Sequence, residues 1–174
     1  MVTEIKPTYC VYLEMDPYLR QWIIHYCGGV IPIRFPKNSI ENIHLENGLT
    51  KLPAHIKPDV ATPTALAIVI PEFKVKSPET YNYFPKSAKY ELIKCLRKNF
   101  RLDLWNSLHR FGWIGKRRDK LIEAYMEANG IEVNDTNTNA ILKIYQRAYK
   151  TFLENKAYAR RNKRSKNSRK KFRS

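Results

Sequence analysis

All ten prolines of the 174-residue chain lie at or before Pro85. Proline lacks a backbone N–H and clashes with the preceding turn, so helix interiors tolerate it poorly. The first half is therefore broken into short elements, while the second is free to be helical. The expected class is α+β. Residues 1–85 read as a small α+β domain, 86–155 as a helical domain of three or four helices, and 156–174 as a disordered basic tail.

Charge changes along the same line. Met1–Pro85 carries 8 basic and 8 acidic residues, and Lys86–Asn155 carries 14 and 8. Lys156–Ser174 carries 10 and none, and the chain total is +16. A neutral mount bearing a cationic face and arm is the footprint of a phosphate binder. Apolar residues make up 43%, enough for a core. Cys10, Cys27 and Cys95 show no paired short spacing, which argues against a disulfide framework and suits a reducing cytosol. A cytoplasmic protein is expected, nucleoid-associated in a bacterium or nuclear in a eukaryote. Met1–Pro7 has no apolar run, and Ala65–Ile70 is far short of the ~18 residues a spanning helix needs. The expectation is a soluble chain with no membrane role.

In the first half, Tyr9, Val11 and Leu13 alternate with Cys10, Tyr12 and Glu14, which predicts a strand. Asp16-Pro17 reads as a cap and first position of a helix with Leu19, Trp22, Ile23 and Tyr26 on one face. Gly28 permits a left-handed stop. Val30–Phe35 reads as a second strand, pushed to an edge by Pro32 and Pro36. Ser39 is placed to cap a short helix ending at Gly48, and Leu49–Pro63 reads as a loop. Ala65–Ile70, apolar and partly β-branched, is the expected central strand. Phe73 and Val75, alternating with Lys74 and Lys76, read as its half-exposed partner. Three or four strands and one or two helices result.

No catalytic constellation emerges. His25, Cys27 and Cys10 match no zinc spacing, so neither metal nor cofactor is expected. A Cys–His nucleophile pair lacks a nameable orienting group. There is no Gly-rich phosphate loop, HExxH or GxSxG, and Glu14 and Asp16 assemble into nothing by spacing alone. The expectation is no enzyme. Tyr9, Tyr12, Tyr81, Tyr83 and Phe84 offer either a base-stacking platform or core filling, the commoner use.

In the second half, Ser87 is placed to cap a helix, and Leu92, Leu96 and Phe100 recur every four residues. Asp103 reads as the cap of a further helix carrying Leu104, Trp105, Leu108 and Phe111; one long helix remains the alternative. The next helix opens on Lys116, Arg117, Arg118 and Lys120 and stops at Asn129-Gly130. Cations there oppose the macrodipole, whereas a phosphate satisfies both them and the free N–H groups. These four are candidate contacts. The last helix begins in Asn134–Thr138, turns Ile141, Ile144, Tyr145, Ala148, Tyr149 and Phe152 inward, and sets Lys143, Arg147 and Lys150 outward. It leads to Arg160, Arg161, Lys163, Arg164, Lys166, Arg169, Lys170, Lys171 and Arg173. The tail has too few apolar side chains to offset the entropy of ordering.

YLEMDPYLRQW (Tyr12–Trp22) and GGVIPIRFP (Gly28–Pro36) resemble small basic proteins of bacterial prophages and mobile elements. GGVIPIRFP is also similar to the Gly-Gly strand preceding the helix-turn-helix of Mor-type phage transcription activators. The resemblance implies a regulator or accessory factor acting on DNA. It departs from that pattern because the helical half starts only at Lys86, so no functional residue carries over. Together these readings predict a nucleic-acid binder, with DNA ahead of RNA and a homodimer compatible with the first half. A structural RNA-binding component of a ribonucleoprotein or phage particle is the alternative.

Overall fold

A computed structural model describes residues 8–110 and 117–171, except the side chains of Arg110, Arg118 and residues 162–171. The elements run β1 (Cys10–Leu13), α1 (Pro17–Tyr26), α2 (Ile40–Gly48), β2 (Leu66–Val69), α3 (Lys86–Arg110), α4 (Arg118–Ala128) and α5 (Asp135–Lys171). The class is α+β, with the strands early and the later chain helical.

The sheet is smaller than expected. β1 pairs antiparallel with β2, Val11 opposite Ile68 and Leu13 opposite Leu66. These four side chains are buried, as alternation in β1 and the apolar run in β2 require. On the other side of β2 only Ile33 joins: its N–H donates to Ala67 O and its carbonyl accepts from Val69 N, both at 2.9 Å. The expected strand Val30–Phe35 is thus corrected to a single bridge. Pro32 and Pro36 offer no ladder donors, and Val30 and Ile31 stay exposed. The strand expected around Phe73 and Val75 is also absent. Instead Lys76 reaches the C-terminus of α2, its Nζ donating to the carbonyls of Glu46, Asn47 and Leu49. A cation at that end complements the helix dipole.

The short helices start and stop for local reasons. Ser39 Oγ accepts from Asn42 N at 3.1 Å, the expected cap of α2. At Gly48 an added Cβ would strike the Phe84 ring and lie 2.7 Å from Ala88 Cβ, so glycine lets α2 press on the start of α3. Asp16 sits at the N-cap of α1 without making a side-chain cap bond. That expectation is corrected: its carboxylate pairs with Arg97 at 3.0 Å.

α3 is one uninterrupted helix of 25 residues, about 37 Å long. Asp103 does not restart it. Lying mid-helix, Asp103 Oδ2 accepts from Trp22 Nε1 at 3.3 Å and from Tyr125 Oη at 2.8 Å. One carboxylate thereby ties α3 to α1 and α4. Leu92, Leu96, Phe100, Leu104 and Leu108, four apart, form its buried stripe. Phe100 meets Tyr18, Trp22 and Tyr125 at centroid distances of 5.1, 5.5 and 6.1 Å. One continuous core draws Leu13, Leu19 and Ile68 from before Pro85 and Leu92, Ile122 and Tyr145 from after it. Pro85 marks a change in the kind of structure, while packing runs across it.

α5 opens on Asn134, whose Oδ1 accepts from Asn137 N at 2.9 Å. Ile141 and Tyr145 seal it to the core. The helix then continues to Lys171. The expected disordered tail is corrected here for Lys156–Lys171, which extends an existing helix. No Gly or Pro follows Gly130. Extension avoids the nucleation cost, and Lys and Arg favour a helix C-terminus.

Candidate nucleic-acid interface

The sequence singled out three sets of cations, and the structure treats them differently. At the start of α4, Arg117 pairs with Asp119 at 2.8 Å and Lys120 with Glu123 at 2.6 Å. Asp119 lies in the first turn, where its own backbone amide and then Arg117 hold its carboxyl below the usual range. The hydrogen bond and charge of Glu123 push the Lys120 ammonium upward. Two of the four candidate contacts thus each hold an acid partner, both pairs at the surface. Lys116 and the Arg118 side chain lie outside the described residues.

The second set, Lys143, Arg147 and Lys150, lies on the exposed side of α5. No acid pairs with any of them among the described residues. The third set follows without a break. Every residue from Lys150 to Arg161 is exposed, Arg160 and Arg161 included. Lys163, Arg164, Lys166, Arg169, Lys170 and Lys171 belong to the α5 backbone, with side chains outside the description, and Arg173 lies beyond it. Phe152, Leu153 and Tyr158, at 41, 47 and 68% exposure, lack the cover their counterparts earlier in α5 have. Lys156 Nζ sits 5.8 Å from the Phe152 ring centroid.

Two arginines were missed by sequence reading. Arg97 and Arg101 on α3 line a groove of about 390 Å³ together with Arg147 and Thr151 of α5 and Tyr18 of α1. Along α3 they look like ordinary outward charges. Only the crossing of α3 and α5 brings them to Arg147. Arg97 holds Asp16, and Arg101 Nε donates to Arg97 O at 3.2 Å, which fixes its stem. Burial, then the Asp16 charge, push the Tyr18 hydroxyl up to about 12, so it stays protonated at neutral pH.

Other candidates resolve as structure. Asn137, a polar side chain in the first turn of α5, is 2% exposed. It donates to Gln21 Oε1 at 3.2 Å and to Glu132 O at 3.0 Å. Phe84 is in the core, while Tyr9 and Tyr81 pack against it. Cys10, Cys27 and Cys95 are free thiols. Burial raises all three, Cys27 to about 11 with the Glu41 charge adding to it, so none is an activated thiolate. Among the described residues no three His, Cys, Asp or Glu side chains gather as metal ligands. No described helix is long and apolar enough to cross a membrane. Comparison with family models, with curated proteins and with solved structures finds no match to this chain.

Proposed function

We propose that the protein binds nucleic acid, duplex DNA in preference, with α5 as the element that reaches it. The supporting observation is the distal part of that helix, which leaves the core, is exposed from Lys150 to Arg161, and carries nine cations and no acid from Lys156 to Lys171. Like charges at such density repel along a helix, so phosphate relieves a tension intrinsic to the arm. Each neutralised phosphate also releases condensed counterions.

The helical form of the arm bears on the choice of partner. A helix with side chains is about 10–12 Å across, and the major groove of B-DNA is about 12 Å wide. The major groove of A-form RNA is too narrow for side chains to read. An uninterrupted basic helix therefore suits duplex DNA, as continuous basic-region helices do. A regulatory or accessory role on DNA follows from this reading and from the resemblance of Gly28–Pro36.

The test is a salt titration of the full chain, and of a chain ending at Asn155, on duplex DNA, duplex RNA and single strands. Duplex DNA is expected to bind tightest. With all ten arm charges engaged, the arm alone contributes about −9 to the log–log salt slope. Removing the arm should flatten the slope and leave the body folded. Tighter binding of RNA that survives the truncation favours an RNA-binding structural component instead. Indifference to every nucleic acid at low ionic strength removes the proposal.

A further inference from the structure

We infer that the groove between α3 and α5 is a seat for a backbone phosphate, with Arg97, Arg101 and Arg147 as its ligating side chains. The inference rests on the nucleic-acid reading and adds to it a defined contact on the folded body, separate from the arm.

Three observations carry it. First, Arg97 and Arg101 of α3 and Arg147 of α5 line one concave space of about 390 Å³. Arginine presents a planar fork matched to phosphate oxygens, and such clusters favour a polyoxygen anion over a lone carboxylate. Second, the charges do not balance. Asp16 pairs with Arg97, while Arg101 and Arg147 have no acid partner among the described residues. Two uncompensated cations side by side cost free energy that an anion recovers. Third, the seat is stiff. Arg101 is tethered by its Nε to the Arg97 carbonyl, and Tyr18 is buried at 7% exposure, forming one wall. Thr151 spends its proton on the Arg147 carbonyl at 3.1 Å and has none left to donate. The donors to phosphate are therefore the arginines.

Position reinforces the assignment. Arg147 and Thr151 mark the place where α5 leaves the core, so a strand following the exposed cations of the arm arrives at this groove. The phosphate would approach Arg97 on the side opposite its bond to Asp16, using the remaining guanidinium N–H groups.

The experiment uses the full chain. R101Q with R147Q is expected to fold with an unchanged melting temperature, because both side chains are exposed. On duplex DNA it should lower the steepness of the salt dependence by about 1.8, at 0.9 per lost contact. R101K with R147K keeps the charge, and is expected to lose affinity as well if the fork geometry matters. If the paired variant fails to fold, R147Q alone should lower the slope by about 0.9. An unchanged slope and affinity in a wild-type protein that does bind DNA overturns the phosphate seat and leaves the arm model intact. A parallel titration with inorganic pyrophosphate, read by amide shifts of Tyr18, Arg101, Arg147 and Thr151, tests the seat without nucleic acid. Saturable shifts abolished in R101Q/R147Q support it even where DNA binding fails. Absence of saturable shifts overturns it.

Discussion

The two parts of α5 have one backbone geometry and opposite reasons for it. From Asp135 to Tyr149 the helix is held by what it buries: Ile141 at 0%, Tyr145 at 1%, and Asn137 tied to Gln21. From Lys150 the described residues are all exposed, and propensity plus continuity with a formed helix sustain the same conformation. Identical secondary structure therefore hides a division between an element fixed by tertiary contacts and one whose conformation answers to its surroundings. In the second kind the described cations form no ion pair with an acid, although Phe152 still meets Trp105 at a centroid distance of 5.4 Å.

The largest test of that division is Tyr145→Ala. Removing an aromatic side chain at 1% exposure should cost about 3–5 kcal/mol, read by denaturant unfolding. A loss below 1 kcal/mol would mean that the proximal part is not fixed by packing. Next comes the tie that steadies the helices α5 packs on: Tyr125→Phe removes the donor at 2.8 Å from Asp103 and should cost about 1–2 kcal/mol.

Alkaline pH probes the same body. Burial raises Tyr18 to about 12 in the folded state, against 10 for its ordinary value. The unfolded chain thus loses its phenolic proton first, and stability present below pH 10 is lost progressively as the pH rises toward 12. Tyr125 is raised by burial and by its bond to Asp103, and acts in the same direction. A midpoint independent of pH across that window contradicts the assignment.

The smallest effect on global stability is expected from Ala157→Pro. Proline costs about 3 kcal/mol in a helix interior, yet here that penalty is local, and the unfolding free energy of the body should move by no more than about 0.5 kcal/mol. Circular dichroism should show lost helix at the same time. Substantial global destabilisation would show that the distal part is held by the body after all.

How much of this was legible in the sequence depends on where each residue finds its partner. Leu92, Leu96 and Phe100 declared their face because a helix brings residues four apart together. Ser39 declared its cap because the partner amide is three residues away. At Asp103 the choice between one helix and two stayed open because its partners, Trp22 and Tyr125, stand on other helices. Lys76 looked like the polar side of a strand because the carbonyls it serves belong to α2. The site divides in the same way. The exposed run through Arg160 and Arg161 follows from composition alone. Arg97 and Arg101 were hidden because their relation to Arg147 exists only once α3 and α5 cross. The acid partners of Arg117 and Lys120, Asp119 and Glu123, stand two and three residues away and so were open to reading from the sequence.

The anchorage of α5 has a mechanical consequence. Gln21 Oε1 receives both Asn137 Nδ2 and Glu132 N, so one amide on α1 pins the root of the helix. From Thr151 to Lys171 the backbone projects about 30 Å as a rod. A rocking of roughly ten degrees where the helix leaves the core swings the far end by about 5 Å. The direction of the rod is then set jointly by one glutamine amide and by the burial of Ile141 and Tyr145.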